Sequence, residues 1–164
     1  MNQGCLYIGD HLTDEMASKL TVKEGAVVQV TRHSNGVFDS VTNFLEFNLG
    51  SVEGQARLLD WLRQNEAPTR IICELHAFEV VADDTEDTRS ATDYLTAQLV
   101  GVTRLLEASL SLNPNLVWDF LQPYHADVWS RACEAYFRVL IEGLRVAAPG
   151  AHFNFVTAEQ VAAS

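Results

Sequence analysis

Runs of apolar residues with the length of a strand alternate with segments of helical period from one end of the chain to the other. Six runs have this strand length: residues 5–9, 26–31, 44–49, 70–78, 115–121 and 152–157. Between the first two, Leu12, Met16 and Leu20 recur at the spacing of one helix face. Alternation of this kind predicts an α/β fold in which helices cover a parallel sheet.

The connections between the runs restrict the order of the strands. Helical spacing returns at residues 52–62, 95–106 and 129–144. Gly25, Pro68, Pro114 and Pro149 stand where segments end. Because crossovers between parallel strands are right-handed, six such units fit mainly two doubly wound orders. We predict the Rossmann-like order 3-2-1-4-5-6, with surface loops at residues 33–43 and 81–93.

Length and composition fit one domain. The chain has 164 residues, of which 48% are hydrophobic, and this is enough to fill a single core. We predict one domain over residues 1–164, with a folded core at 1–158 and a short tail or linker stump at 159–164.

Charge and targeting signals restrict the location and the partners. The net charge is −11 at pH 7, so nucleic acid and an anionic membrane surface would repel the chain. We see no secretory signal at its start and no window near the roughly 18 apolar residues of a membrane helix. Cys5, Cys73 and Cys133 are widely spaced, which is typical of buried thiols in a reducing compartment. We expect a cytoplasmic protein that binds neither nucleic acid nor membrane.

The turn after the first strand is where a dinucleotide-binding fold holds the pyrophosphate. That turn needs the pattern G-x-G-x-x-G, because only glycine lets backbone N–H groups approach a phosphate closely. Here Gly9 stands alone, and Asp10, Asp14 and Glu15 place negative charge beside it. We therefore expect no cofactor.

The catalytic groups of a short-chain reductase are also missing from their expected positions. Such an enzyme needs a serine just after the fifth strand. It also needs a tyrosine followed four residues later by lysine or asparagine, which lowers the tyrosine pKa. The fifth strand is followed by Gln122 and Pro123. The four tyrosines, Tyr7, Tyr94, Tyr124 and Tyr136, are followed at that spacing by His11, Gln98, Val128 and Leu140. We assign no catalytic residue.

Arg32 is a weak candidate for cofactor binding. It closes the second strand, where an NADP-binding protein places a cation for the ribose phosphate. Without the glycines, a solvated charge at a strand end explains it better, and Arg32 is interpreted as a relic of such a site. A methyltransferase would instead end this strand in an acidic residue, so that class fits badly.

The remaining polar residues are interpreted as structural. The five histidines show no metal-ligand spacing, so we expect no metal site. Tyr124, His125 and Asp127 follow the fifth strand and are interpreted as a polar loop cap. Ser51 is interpreted as a helix N-cap, with Gly54 as a tolerated interruption of the helix.

Three segments resemble the structural subdomain of the ketoreductase region of modular polyketide synthases. Residues 70–78, Arg-Ile-Ile-Cys-Glu-Leu-His-Ala-Phe, are similar to a family strand ending in His-Leu-Trp, although the tryptophan is missing. Residues 95–113 with 116–118 resemble its long helix and the strand that follows. Residues 132–140, continuing through Pro149 to 153–156, look like its closing helix, proline and strand.

The resemblance implies a truncated copy of a short-chain dehydrogenase/reductase that catalyses nothing itself and braces a catalytic copy. Its partners would be neighbouring polyketide synthase domains, either a catalytic ketoreductase copy or a carrier protein. Two alternatives stay open. One is a divergent NADPH-dependent ketoreductase that uses Arg32 and Tyr124 or Tyr136 on a carrier-bound β-ketoacyl thioester. The other is a free-standing Rossmann-like adaptor.

Overall fold

The apolar runs of the sequence form the strands of one parallel sheet. The structure, a computed structural model, describes residues 4–32, 41, 43–75, 95–123 and 127–163. Its strands are β1 (Cys5–Ile8), β2 (Val27–Thr31), β3 (Asn43–Glu46), β4 (Arg70–Glu74), β5 (Val117–Leu121) and β6 (His152–Val156). Neighbouring strands are parallel, and their order across the sheet is 3-2-1-4-5-6. The predicted fold class and strand order are confirmed.

Helices cover both faces of this sheet. Within the described residues the α-helices are α1 (Asp14–Glu24), α2 (Val52–Gln64), α3 (Gly101–Leu112), α4 (Val128–Ala147) and α5 (Ala158–Ala163). A π-helical turn, Thr96–Val100, leads directly into α3. Helices α2, α3 and α4 pack on one face of the sheet, and α1 and α5 pack on the other.

Alternate residues of the inner strands β1, β2, β4 and β5 enter two different cores, because successive side chains point to opposite faces of the sheet. Leu6 and Ile8 of β1 pack on the side of α2, α3 and α4, whereas Tyr7 packs on the side of α1. The larger core is aromatic, with Phe120 of β5 stacked on Phe137 of α4 at 5.0 Å between ring centroids. Burial on both faces explains why these inner strands are nearly continuous apolar runs in the sequence.

Ser51 and Gly54 shape the start of α2. The Ser51 hydroxyl oxygen accepts a hydrogen bond from the backbone N–H of Gly54 at 3.0 Å, which confirms Ser51 as the N-cap. A Cβ on Gly54 would overlap the carbonyl oxygen of Asn48. Gly54 is therefore required by the close approach of the preceding loop, and the interpretation of it as a tolerated interruption is wrong.

Asp127 caps α4 in the same way. Its Oδ1 accepts hydrogen bonds from the backbone N–H of Ser130 at 2.8 Å and from the Ser130 hydroxyl at 2.7 Å. This agrees with the interpretation of Asp127 as part of a polar cap after β5. The other two residues of that interpretation, Tyr124 and His125, lie outside the described residues.

Several boundaries differ from the predicted ones. β3 begins at Asn43, which the sequence places in a loop, and β4 ends at Glu74, with residues 76–78 outside the described part. Residues 159–163, predicted as a tail, belong to α5, whose Val161 is buried in the core beside α1. A six-residue helix with one buried side chain has no periodic pattern for sequence reasoning to detect. The predicted loop at 81–93 lies outside the described residues, as does most of the one at 33–43.

The cysteines are part of the packing. All three are buried thiols, and burial raises the pKa of Cys5 and of Cys73. A thiol that stays protonated is a poor nucleophile. Among the described helices, none has both the length and the apolar character needed to cross a membrane.

Candidate functional site

The carboxyl ends of β1, β2 and β4 meet where the strand order changes direction. β1 pairs with β2 on one side and with β4 on the other. In open α/β sheets, ligands bind in the crevice outside the carboxyl ends of the strands at such a point. Residues 9–13 lead from β1 into α1 here. This segment, called the β1–α1 turn, is the candidate site.

Gly9 opens the β1–α1 turn and is packed against Glu74, the last residue of β4. Its φ angle is +148°, a conformation that L-residues with a side chain rarely adopt. A Cβ on Gly9 would overlap the carboxyl group of Glu74. The glycine therefore makes room for a carboxylate of the chain itself.

The Glu74 carboxylate holds the turn to β1 and β4. Its Oε1 accepts hydrogen bonds from the Tyr7 hydroxyl and from the backbone N–H of His11, both at 2.7 Å. Its Oε2 lies 2.8 Å from Nδ1 of His11. Because an ionised carboxylate can only accept, Nδ1 carries the proton when Glu74 is charged. Only 7% of the Glu74 side chain is exposed, against 77% of His11.

The Glu74 carboxylate changes the pKa of the two side chains bonded to it, His11 and Tyr7. The hydrogen bond and the charge of Glu74 raise the pKa of His11. Burial, together with the neighbouring charge of Glu74, raises the pKa of Tyr7 well above its usual value. Tyr7 is therefore a permanent donor near neutral pH, while His11 is an exposed imidazole oriented by a buried carboxylate, a geometry that suits proton transfer.

A second ion pair ties the same turn to β2. Oδ1 of Asp10 accepts hydrogen bonds from the Thr31 hydroxyl and from the Arg32 backbone N–H, each at 2.8 Å. Oδ2 of Asp10 accepts from Nε of Arg32 at 2.7 Å. Burial by itself raises the pKa of Asp10, but the hydrogen bonds from Arg32 and Thr31 outweigh it and leave that pKa below its usual value. Arg32 follows β2 directly, and its charge is paired with Asp10.

Another charged cluster lies on the same face of the sheet, towards the amino ends of its strands. Nε and Nη2 of Arg70 are each 2.7 Å from Oδ2 of Asp119. Nη1 of Arg70 is 3.2 Å from Oε1 of Glu24, and Asn154 donates to Oδ1 of Asp119 at 2.7 Å. Burial has the largest single influence and lowers the pKa of Arg70, but the charge and hydrogen bond of Asp119, with smaller contributions from Cys5 and Glu24, together raise it by more. The Arg70 guanidinium therefore stays charged beside Asp119.

Tyr136, the α4 tyrosine that a divergent ketoreductase would use, lies away from these networks. The Tyr136 hydroxyl is 3.3 Å from Oγ1 of Thr103 on α3. Tyr136 is eight residues into α4, which corresponds to about 12 Å of helix from its start. Tyr94 and Tyr124 lie outside the described residues, so their predicted roles stay untested.

Sequence reasoning missed Glu74 and its contacts. A signal was present, since Glu74 follows Ile71, Ile72 and Cys73 in a run expected to be buried, and buried charges need partners. The partner His11 is 63 positions away in the sequence. No spacing rule connects residues that far apart, so the pair becomes visible only when β1 and β4 are side by side.

No metal centre is found in the part of the chain that the structure describes: no three His, Cys, Asp or Glu side chains there are close enough to hold an ion. For the whole chain, the absence of a metal site stays a prediction.

The fold matches solved structures of short-chain dehydrogenases and related reductases. A short chain dehydrogenase from Leptospira borgpetersenii with bound NAD+ has a TM-score of 0.68 at 13% identity, over 94% of this chain and 70% of that chain. An NADPH dependent reductase involved in bacilysin biosynthesis has a TM-score of 0.67 at 10% identity, over 94% and 72%. The bulky-bulky ketone specific alcohol dehydrogenase from Comamonas testosteroni has a TM-score of 0.70 at 15% identity, over 96% and 76%. No protein-family model and no curated protein matches the sequence.

These neighbours define the class of fold as that of the short-chain dehydrogenase/reductases, and they contradict the expectation of no cofactor. One of them contains NAD+, and another is NADPH dependent. That expectation depends on a missing glycine pattern, whereas the crevice at the carboxyl ends depends on strand order, which is retained here. The missing glycines therefore do not decide whether a nucleotide binds.

The β1–α1 turn itself does not fit a pyrophosphate in the position that the glycine pattern serves. The backbone N–H of His11 already donates to Glu74, the Glu74 carboxyl group packs against Gly9, and Asp10 is itself a residue of the turn. A phosphate placed there would meet two negative charges.

Proposed function

We propose that this chain is a structural, ketoreductase-like domain of a modular polyketide synthase, one that braces neighbouring catalytic domains and performs no reduction itself. The observation that supports this proposal most strongly is the bonding of the β1–α1 turn. Glu74 ties the turn to β4 and Asp10 ties it to β2. The polar groups at the catalytic edge of the fold are therefore used to hold the chain in shape.

Glu74 and Asp10 already use three hydrogen-bond contacts each within the chain. An acid, base or ligand-binding group must have bonding capacity left for the substrate. Glu74 and Asp10 each have three contacts at 2.7–2.8 Å with donors of the chain. Removing any of these donors to bind a substrate would leave the buried Glu74 carboxylate or the partly buried Asp10 carboxylate with fewer partners, which is unfavourable. His11, with its exposed ring, is the member of the network that solvent reaches.

The test compares the chain alone with the chain added to the ketoreductase domain encoded nearest to it. Alone, we expect no NADPH oxidation with a β-ketoacyl thioester. In the mixture, we expect the thermal midpoint of the ketoreductase domain to rise, because a partner that binds the folded state stabilises it. The rise should be about 3 °C for each kcal/mol of stabilisation at this domain size. An unchanged midpoint would contradict the bracing role.

A divergent NADPH-dependent ketoreductase is the second candidate, and the NADPH dependent neighbour favours it. In that case the chain alone would oxidise NADPH with the thioester, and the Tyr136→Phe variant would abolish turnover while Tyr7→Phe lowered stability. A free-standing adaptor is separated from both candidates by gene context, since a synthase domain is encoded beside ketosynthase and carrier-protein sequences.

A further inference from the structure

A groove lies on the α1 side of the sheet, towards the amino ends of β4, β5 and β6. Its volume is about 590 Å³, within the roughly 300–1,000 Å³ of sites that hold small molecules. The polar side chains that line this amino-end groove are Lys23, Glu24, Arg70, Asp119, Asn154 and Gln160. It lies at the opposite end of the strands from the β1–α1 turn, so binding here is independent of the proposed function.

The floor of the amino-end groove is charged, although a covered face of a parallel sheet is ordinarily apolar. Neighbouring strands contribute Arg70, Asp119 and Asn154, and Asp119 accepts hydrogen bonds from the other two at 2.7 Å. Glu24 of α1 extends this row through its 3.2 Å contact with Arg70. A buried ion pair adds little stability over apolar residues of similar volume. A cluster of buried charges at the floor of a cleft is, by contrast, typical of a binding site.

The groups of the amino-end groove have bonding capacity left after these contacts. A guanidinium has five N–H groups, and the contacts of Arg70 with Asp119 and Glu24 account for three of them. Oε1 of Glu24 makes its contact with Arg70, which leaves Oε2. Lys23 is exposed and forms no ion pair with another described residue. The groove therefore offers cationic donors and carboxylate or amide oxygens close together.

The charges of the amino-end groove favour a ligand that carries both signs. Lys23 and Arg70 balance Glu24 and Asp119, so the groove has no net charge, whereas the whole chain has a charge of −11. The chain repels a simple anion, but it does not repel a molecule whose two charges cancel. A carboxylate fits the free N–H groups of Lys23 and Arg70, and an ammonium fits the free oxygens of Glu24 and Asn154.

We propose that the amino-end groove binds a free α-amino acid with an aliphatic side chain, its carboxylate towards Lys23 and its ammonium towards Glu24. Val117 and Val156 also line the groove, and they provide the apolar contact for that side chain. The buried Arg70 and Asp119 hold the floor in place, so the polar groups are arranged before the ligand arrives.

An NMR titration of the isotope-labelled chain with L-leucine tests this site. We expect saturable shifts of the backbone amide signals at residues 69–70, 117–119 and 154–156, and none in the β1–α1 turn. Two fragments of leucine are the matched ligands: 4-methylpentanoate lacks the ammonium, and 3-methylbutylamine lacks the carboxylate. Each should bind about tenfold more weakly than leucine, because one of the two charge-assisted contacts is lost.

Lys23→Met tests the orientation of the ligand, because it keeps the length of the side chain and removes its charge. The Kd for leucine should rise about tenfold, and the Kd for 3-methylbutylamine should stay the same, since that compound has no carboxylate to lose a partner. Lys19→Met is the control on the same helix: its exposed pair with Glu15 lies outside the groove, so the Kd for leucine should not change. Both variants should unfold like the wild type, because both lysines are exposed.

Four results would overturn the inference. The first is a titration with L-leucine and L-valine, up to their solubility limits, that gives no saturable shifts. The second is saturable shifts in the β1–α1 turn instead of the amino-end groove. The third is binding of 4-methylpentanoate as tight as that of leucine. The fourth is a Kd for leucine that Lys23→Met leaves unchanged, or that Lys19→Met raises equally.

Discussion

Two charged clusters occupy the same face of the sheet, one towards each end of its strands, and their surroundings differ. Towards the amino ends, the side chains of Arg70 and Asp119 are 10% and 2% exposed. At the carboxyl ends, Glu74 is equally buried, but its partner His11 is mostly exposed. The Arg70 guanidinium keeps its charge over the ordinary pH range, whereas an exposed imidazole exchanges protons with solvent. The amino-end cluster is thus a fixed part of the fold. In the carboxyl-end cluster, the protonation of the exposed His11 can change with the pH of the solvent.

Asp119→Ala should give the largest effect if the amino-end cluster is structural. It leaves the buried Arg70 with Glu24 at 3.2 Å as its remaining ion-pair partner, and breaking a buried ion pair by removing one member costs about 3 kcal/mol. The free energy of unfolding from urea denaturation measures this loss. Asp60→Ala is the control, because its pair with Arg63 is exposed and should be worth less than about 0.5 kcal/mol. Similar losses in both variants would remove the distinction between buried and exposed pairs.

Gly9→Ala should cause the second largest loss in the free energy of unfolding, because it acts directly on the carboxyl-end cluster. The new Cβ would overlap the Glu74 carboxyl group, and the φ of +148° is unfavourable for alanine. Strain of this kind costs about 2 kcal/mol, measured by the same denaturation. Gly143→Ala on α4 is the matched control, since its Cβ would meet nothing within 4 Å. Alanine there should stabilise the helix by about 0.5–1 kcal/mol. If both variants changed the free energy of unfolding in the same direction, this result would contradict the packing of Gly9 on Glu74.

Tyr7→Phe should have a smaller effect. It removes one of three donors to the Glu74 carboxylate, and a hydrogen bond to a charged group contributes about 1.5 kcal/mol. In Tyr136→Phe, the lost hydroxyl has only a 3.3 Å contact at an exposed site, so we expect little change in the free energy of unfolding. If both variants unfold like the wild type, the Tyr7 contact does not contribute to stability.

The smallest effect should be the pH dependence that His11 gives to the free energy of unfolding. Its pKa is raised in the folded chain by Glu74, so its stabilising contribution is fully present below about pH 6.5, the usual histidine pKa. The contribution is lost as the pH rises through the higher folded pKa. The free energy of unfolding should therefore decrease slightly above neutral pH in the wild type, and His11→Asn should lack this decrease. An NMR titration that finds the His11 pKa at or below its usual value would refute the ion pair with Glu74.

The sequence predicted the architecture better than the details of the site. The runs around Leu6, Ile72 and Phe120 became strands in the predicted order because an apolar period and right-handed crossovers act along the chain. The requirement for Gly54 was missed, because it comes from the carbonyl of Asn48 across a loop. The cofactor expectation failed for a related reason, since a local motif was used to judge a crevice that strand order forms.

What the sequence by itself determined is the set of strands, the main helices and their order. Each of these depends on residues that are near one another in the chain. Only the tertiary structure decided that Glu74 meets Tyr7 and His11, and that Asp10 meets Arg32. Those contacts depend on the register between β1 and its neighbours, where a shift of one residue would turn Tyr7 to the opposite face. Register is set by packing over the whole sheet, so the charges of the β1–α1 turn find their partners only when the sheet is complete.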